Sequence, residues 1–170
     1  MISTTANLYS PGFRQAQTYR VAALFVLGNI ALPQLCHLAA LGGPTWLPIY
    51  FFTLVGAYKY GWRAGVLTAI VSPVANSLLF GMPAAAALPA ILLKSVVLAL
   101  AAGWTAARFR RASLLLLAGV VLAYQTIGTL GEWALCGDFR TAAQDFRIGL
   151  PGMLVQVFGG WAFIDRLIRK

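Results

Sequence analysis

Apolar stretches, most of them close to twenty residues long, alternate along this chain with short breaks of glycine, proline or charged residues. A helix needs about 20 apolar residues to cross the hydrocarbon core of a bilayer. The pattern therefore predicts an all-α membrane protein, a compact bundle of six transmembrane helices in one domain, 1–170, with a polar N-terminal segment, 1–18. The predicted helices are Tyr19–Leu41, Trp46–Tyr58, Trp62–Phe80, Ala84–Ala107, Ala112–Leu135 and Ile148–Ile168.

The second predicted helix is short for a full crossing, and only Lys59–Arg63 separates it from the third. A tight turn at Gly61, with aromatic side chains at the depth of the membrane interface, fits the tip of a hairpin. The same stretch also fits one long interrupted hairpin, so the sequence leaves both interpretations open.

Composition supports membrane residence, since 60% of the residues are hydrophobic and only 10% are charged. Soluble domains carry about 25% charged residues. The net charge of +9 sits in short clusters that flank apolar stretches, which is typical of membrane spans and argues against nucleic-acid binding. The positive-inside rule then predicts that both termini are cytoplasmic, with Arg140 and Arg147 outside. The basic residues predicted inside are Arg14, Arg20, Lys59, Arg63, Arg108, Arg110, Arg111, Arg166, Arg169 and Lys170.

Lys94 is the first candidate functional residue, because an ionisable side chain at membrane depth is costly. It lies about eleven residues into the predicted helix 84–107, roughly 16 Å along its axis and near the midplane. Glu132 lies about one turn below the external end of the predicted helix 112–135. The pair fits two interpretations, a ligand site or an ion pair that ties two helices together, and the two are compatible if a ligand competes for the pair.

Further polar residues concentrate in the external halves of the predicted helices, which indicates a pocket that opens outward. Each of them alone is more often an interhelical hydrogen-bonding group, and His37 is also plausible as a plain interfacial residue. Trp46, Trp133 and Tyr124 offer rings for stacking. The predicted substrate-binding residues are Lys94, Glu132, Asn76, Gln125, Gln156, Tyr124, Gln34, His37, Trp46 and Trp133.

Small residues recur at helical spacing in two rows, and such rows let helices approach closely. Ala99, Gly103 and Ala107 form one row. Ala23 and Ala31 flank Leu27 in the other, which fits either packing within the bundle or docking of another membrane protein.

Groups for catalysis and for metal binding are missing from the sequence. The chain has no paired membrane carboxylates, no nucleophile–base set and no phosphate-binding glycine loop, so it is not expected to be an enzyme. A single histidine and two cysteines make no metal-ligand pattern, and no cofactor is expected. A disulfide between Cys36 and Cys136 is conceivable, but two free thiols are the favoured interpretation.

The stretch Pro48–Gly65 leads into Ser72–Pro83, with a turn between Gly61 and Gly65, a Ser-Pro pair within the helix and Gly-Met-Pro at its end. These features resemble the S components of energy-coupling factor (ECF) transporters, the membrane subunits that bind vitamins and other micronutrients. Six short helices in about 170 residues, with both termini inside, extend the resemblance over most of the chain. One feature departs from the family: its alanine row on the first helix has Leu27 at the central position.

The resemblance implies a multi-pass protein of the bacterial cytoplasmic membrane that captures a small-molecule micronutrient from outside. It also implies docking, through Ala23, Leu27 and Ala31, on a coupling membrane subunit driven by two cytoplasmic ATPases. Lys94 would then indicate an anionic substrate, with a carboxylate or a phosphate. The main alternative is a non-catalytic structural or assembly subunit of another membrane complex, and a small lipid-modifying enzyme is a weaker one.

Overall fold

The structure, a computed structural model, describes residues 4–5, 10–38 and 42–168. Nearly all of this part is helical, as predicted. The helices are α1 (Ala16–Cys36), α2 (Gly42–Trp46), α3 (Phe51–Tyr60), α4 (Trp62–Phe80), α5 (Leu88–Phe109), α6 (Leu114–Cys136), α7 (Phe139–Ala142), α8 (Gln144–Ile148), α9 (Leu150–Leu154) and α10 (Gly160–Ile168). A 3₁₀ turn, Pro48–Tyr50, precedes α3, and a π-helical turn, Val155–Gly159, joins α9 to α10. Two short strands, β1 (Thr4–Thr5) and β2 (Arg111–Ala112), pair antiparallel.

Four of the helices, α1, α4, α5 and α6, are long and apolar enough to cross a membrane. Two further helical segments coincide with predicted helices but are shorter or interrupted. Pro48–Tyr60 has thirteen residues, and Leu150–Ile168 contains the π-helical turn.

Contacts between connecting segments define two opposite ends of the bundle. At one end, the Tyr58 hydroxyl donates a hydrogen bond to the Arg111 carbonyl (2.7 Å), and the ring of Phe13 packs edge-on against Trp62. We call this the N-terminal end, because the segment before α1, the α3–α4 turn and the α5–α6 connection meet there. The connections that follow α1, α4 and α6 meet at the other end, which we call the cavity end.

Glycines fix both boundaries of α4. Gly61 precedes it at φ 87° and Gly81 follows it at φ 67°, values in the left-handed region that glycine adopts without a steric penalty. The predicted boundaries, Trp62–Phe80, are therefore confirmed.

Three predicted boundaries are wrong at the cavity end. The first helix was expected to reach Leu41, but α1 ends at Cys36, and 39–41 lie outside the described residues. The second was expected to begin at Trp46, which instead ends the separate helix α2. Leu47 breaks the helical path there with a left-handed backbone (φ 47°).

The third wrong boundary changes the depth of Lys94. The helix α5 begins at Leu88 rather than Ala84, because residues 85–87 form a turn and Pro89 occupies the first turn of the helix, where proline is tolerated. Lys94 therefore lies about 9 Å from the start of its helix, not near the middle. The last two predicted helices each begin two residues later than expected, at Leu114 and Leu150.

The short helix α3 lies at the centre of the bundle. Every residue from Thr53 to Tyr58 is buried, and α3 packs against α1, α4 and α5. Gly103 of the first small-residue row brings α5 against the start of α4, since a Cβ at this position would overlap Trp62. This part of the row therefore packs within the bundle, whereas Ala107 is exposed.

Candidate functional site

A cavity of about 390 Å³ lies at the cavity end, a volume within the range of small-molecule sites. Its floor is formed by buried residues such as Leu47, Pro48 and Tyr50. Its rim includes the exposed residues Met82 and Thr141, so the cavity reaches the surface. Most of the wall is apolar. The wall residues with polar side chains are His37, Tyr50, Asn76, Lys94, Glu132, Thr141, Gln144 and Asp145.

Three charged side chains meet in the wall, and we call them the charged triad. The Lys94 ammonium (Nζ) lies 2.5 Å from Glu132 Oε2 and 2.8 Å from Asp145 Oδ2. The Lys94 side chain is 4% exposed, against 18% for Glu132 and 15% for Asp145. An ion pair between Lys94 and Glu132, one of the two interpretations that the sequence left open, is present, and Asp145 adds a second carboxylate to it.

Gly128 makes room for the stem of Lys94. A Cβ at this position of α6 would overlap Cγ of Lys94, so only a glycine lets α5 and α6 approach this closely here. The lysine stem therefore crosses the surface of α6 one turn before Glu132, which directs the ammonium to that carboxylate.

The segment 137–149 carries Asp145 over the cavity. Asp138 caps α7, its carboxylate accepting hydrogen bonds from the Thr141 hydroxyl and from the backbone N–H groups of Arg140 and Thr141. These bonds, the one from the Thr141 hydroxyl first, lower the pKa of Asp138 below its ordinary 3.8. Ala142 is fully buried and anchors the segment.

A second polar group lies between α1, α3 and α4, and we call it the polar layer: Asn29, Thr53, Ser72 and Asn76. The Asn29 amide donates to the hydroxyls of Thr53 (2.9 Å) and Ser72 (3.3 Å). Asn76 Nδ2 donates to the carbonyls of Asn29 and Ser72, both at 2.9 Å. Every member is neutral and at most 1% exposed, so the layer joins three helices through complete hydrogen bonding.

A third polar group lies on α5, α6 and the last helical segment. Tyr124 donates to Gln156 Oε1 at 2.8 Å. Both amide atoms of Gln125 are buried without a hydrogen-bond partner in the described part of the chain. The hydroxyl groups of Ser95 and Thr129 are also buried without a hydrogen-bond partner among the described residues.

The predicted binding residues divide between the cavity wall and other places. Four line the wall: Lys94, Glu132, Asn76 and His37. Gln34 is not a wall residue, but its Nε2 donates a hydrogen bond to Oδ1 of the wall residue Asn76 (3.5 Å). The other five lie outside the wall residues: Tyr124, Gln125 and Gln156 are buried between helices, and Trp46 and Trp133 are 43% and 46% exposed.

Sequence reasoning missed Asp145. The chain has only four acidic residues, and a buried lysine needs counter-charges. Asp145 also falls in a polar connection that the sequence predicts to be external, so a search of the four acids for partners of Lys94 would have included it.

The predicted docking row lies on the surface of the bundle. Ala23, Leu27 and Ala31 are all exposed on one side of α1, and Tyr19 and Leu35 extend the row at the same spacing of four residues. Cys36 and Cys136 are free thiols, as the sequence favoured. The described residues contain no group of three or more histidine, cysteine or acidic side chains that would hold a metal ion.

No protein-family model matches the sequence, and neither a curated protein nor a solved structure matches the chain.

Proposed function

We propose that this chain is the substrate-binding S component of an ECF-type importer, a non-enzymatic subunit that captures a vitamin or related micronutrient. One observation carries the proposal: a cavity of small-molecule size, with a buried charged triad in its wall, at one end of an apolar helical bundle. Charged groups in such a bundle mark functional sites more often than packing contacts. The resemblance of Pro48–Gly65 and Ser72–Pro83 to that family gives the proposal its class of transporter.

The proposed setting is the bacterial cytoplasmic membrane, crossed six times, with both termini inside and the cavity open to the outside. The basic side chains support this orientation. Arg63 in the first turn of α4, Arg108 in the last turn of α5, and Arg110 and Arg111 just after α5 all lie at the N-terminal end of the bundle. By the positive-inside rule, this end is proposed to be cytoplasmic. The two shorter or interrupted helical segments, Pro48–Tyr60 and Leu150–Ile168, are the proposed fifth and sixth crossings.

The proposed partners are a coupling membrane subunit and two cytoplasmic ATPases, because the sequence carries no nucleotide-binding motif of its own. The exposed row on α1 is the proposed docking face. The small side chains at two of its positions would let a partner helix approach α1 closely there.

The alternative is a structural or assembly subunit of another membrane complex. The complete pairing of Lys94 by two carboxylates favours it, since such a triad also ties α5, α6 and α8 together.

Ligand capture is tested by native mass spectrometry and thermal unfolding of the purified chain in detergent. We expect a retained small molecule, released on denaturation, whose re-addition raises the melting temperature. Ile91→Trp fills the cavity from its wall and should abolish retention, whereas Leu122→Trp, on an exposed face of α6, should not. A chain that purifies empty and gains no stability from any micronutrient supports the structural subunit instead.

Orientation is tested with the native thiol of Cys136, which is exposed at the cavity end. In a Cys36→Ser background, a membrane-impermeant maleimide should label Cys136 on intact cells. In a chain that lacks both native thiols, the Arg110→Cys variant should be labelled only after the cells have been permeabilised. The reverse pattern would place the cavity inside and exclude uptake from the outside.

A further inference from the structure

We infer that the molecule taken up by this cavity carries a positively charged nitrogen group, which lies against the carboxylates of Glu132 and Asp145. The inference rests on the proposed capture function and adds the chemical class of the ligand. The sequence alone pointed to an anion beside Lys94, but that expectation was formed without Asp145.

The charge count of the wall favours a cation. The lysine and acidic residues of the cavity wall carry one positive charge, on Lys94, and two negative charges, on Glu132 and Asp145, which sum to −1. A ligand carboxylate would have to displace one of the two acids from Lys94 and would bring a third negative charge into a partly buried site. A cation would instead neutralise the wall.

Exposure within the charged triad points the same way. The Lys94 side chain is 4% exposed, whereas the two carboxylates are 18% and 15% exposed. The carboxylates are therefore the more accessible members of the charged triad. Each carboxylate offers about four acceptor sites and spends one oxygen on Lys94, so acceptors remain for the N–H donors of a ligand.

The rest of the wall favours an organic cation over a metal ion. Leu47, Ile49 and Ile91 give the cavity an apolar wall, and Tyr50 in its floor adds an aromatic ring, which attracts cations over its face. Calcium and magnesium bind through several oxygen ligands, and the Lys94 ammonium, paired to both carboxylates of the wall, would repel such a metal ion. The ligand class that fits is an amine or amidine attached to an apolar or aromatic body.

Three probes of the same ring and similar length, and of different charge, test this inference: tryptamine (cationic), tryptophol (neutral) and indole-3-propionate (anionic). Binding to the full chain in detergent is measured by calorimetry and by thermal shift after any retained molecule has been removed. We expect tryptamine to bind at least about tenfold more tightly than either of the others. Glu132→Gln and Asp145→Asn should each reduce that preference, and the double variant should remove it.

Two outcomes overturn the inference: indole-3-propionate binding most tightly, or a tryptamine preference that survives the double variant. No probe binding at millimolar concentration also overturns it, since the charge of the wall should attract any fitting cation. A retained native ligand that proves to be anionic or neutral refutes the charge class and leaves the capture function intact. If calcium or magnesium ions displace tryptamine at similar concentrations, the carboxylates form a metal site instead.

Discussion

The polar layer and the charged triad lie in the same apolar bundle, and both reach the cavity wall, the layer through Asn76, but they differ in charge and in hydrogen bonding. Asn29 and Asn76 are neutral, at most 1% exposed and fully hydrogen-bonded between three helices. Lys94, Glu132 and Asp145 are charged, carry one excess negative charge and face a cavity of about 390 Å³. The layer satisfies its own groups, whereas the triad keeps acceptor sites that only a further group can use.

This difference supports a structural role for the polar layer and the proposed binding role for the charged triad. Interhelical hydrogen bonds between neutral groups contribute modestly in membranes, typically about 0.6 kcal/mol each. Charged groups cost far more to bury, so a surplus of charge beside a cavity needs a reason beyond helix packing. Variants that remove one cluster at a time test the comparison.

The largest effect is expected from Lys94→Met. Removing the ammonium leaves two partly buried carboxylates side by side, which should lower the free energy of unfolding by about 3 kcal/mol. Thermal or denaturant unfolding in detergent measures this. Adding Glu132→Gln and Asp145→Asn to the same chain should restore most of the loss. If Lys94→Met alone is as stable as the native chain, the triad does not hold α5, α6 and α8 together.

Asn29→Ala should cost less, about 1–2 kcal/mol, because it removes two donated hydrogen bonds and leaves the backbone N–H of Phe52 without its acceptor. Tryptamine affinity should stay within about twofold, since Asn29 lies outside the cavity wall. Leu24→Ala, on the exposed side of α1, is the matched control and should change stability by less than about 0.5 kcal/mol. A large loss of affinity in Asn29→Ala would merge the two clusters into one functional unit.

Gly128→Ala should destabilise the chain by about 1–2 kcal/mol, since the added methyl overlaps the stem of Lys94. It should also strengthen tryptamine binding, because displacing the ammonium from Glu132 leaves that carboxylate less neutralised for a ligand cation. Gly119→Ala on the same helix meets no atom within 4 Å and should be neutral or slightly stabilising. Equal effects of the two variants would show that helix propensity, not the position of Lys94, is what matters.

The smallest effect, and the opposite sign, is expected from Gln125→Leu. Both amide atoms of Gln125 are buried without a partner in the described residues, so an apolar side chain of similar size should raise the free energy of unfolding by about 1 kcal/mol. Calorimetric unfolding in detergent measures the change. Destabilisation, or a loss of ligand retention, would show that the amide has a bound partner and belongs to the site.

Hydrophobic patterning was enough to predict the helical class. It also predicted the boundaries of α4, because the glycine at each end adopts a left-handed backbone that interrupts the helix. It failed at the cavity end. There, Leu47 adopts a left-handed backbone that leucine rarely takes, and residues 85–87 form a turn although alanine favours helices. In both places tertiary packing around the cavity overrides local propensity.

The candidate site was half predictable for a related reason. Lys94 and Glu132 stand out because charge is rare inside apolar segments, and each could be placed on a helix. Asp145 lies in a polar connection where a carboxylate is unremarkable, and its approach to Lys94 depends on the path of the chain between α6 and α9. The aromatic residues Trp46 and Trp133 were chosen by type alone, and their side chains lie outside the cavity wall.

On the proposed six-pass orientation, the thirteen-residue helical segment Pro48–Tyr60 has an electrical consequence. It is about 20 Å long, roughly two thirds of the hydrocarbon thickness, and the cavity lies above its beginning. On the proposed orientation, a water-filled cavity carries the outside solution down to Pro48, and the membrane voltage falls across the thinner remainder. A cation that reaches the floor therefore gains almost nothing from the voltage on its way in. Nearly the whole drop, about 2.3 kcal/mol per elementary charge at 100 mV, acts across the remaining segment of about 20 Å.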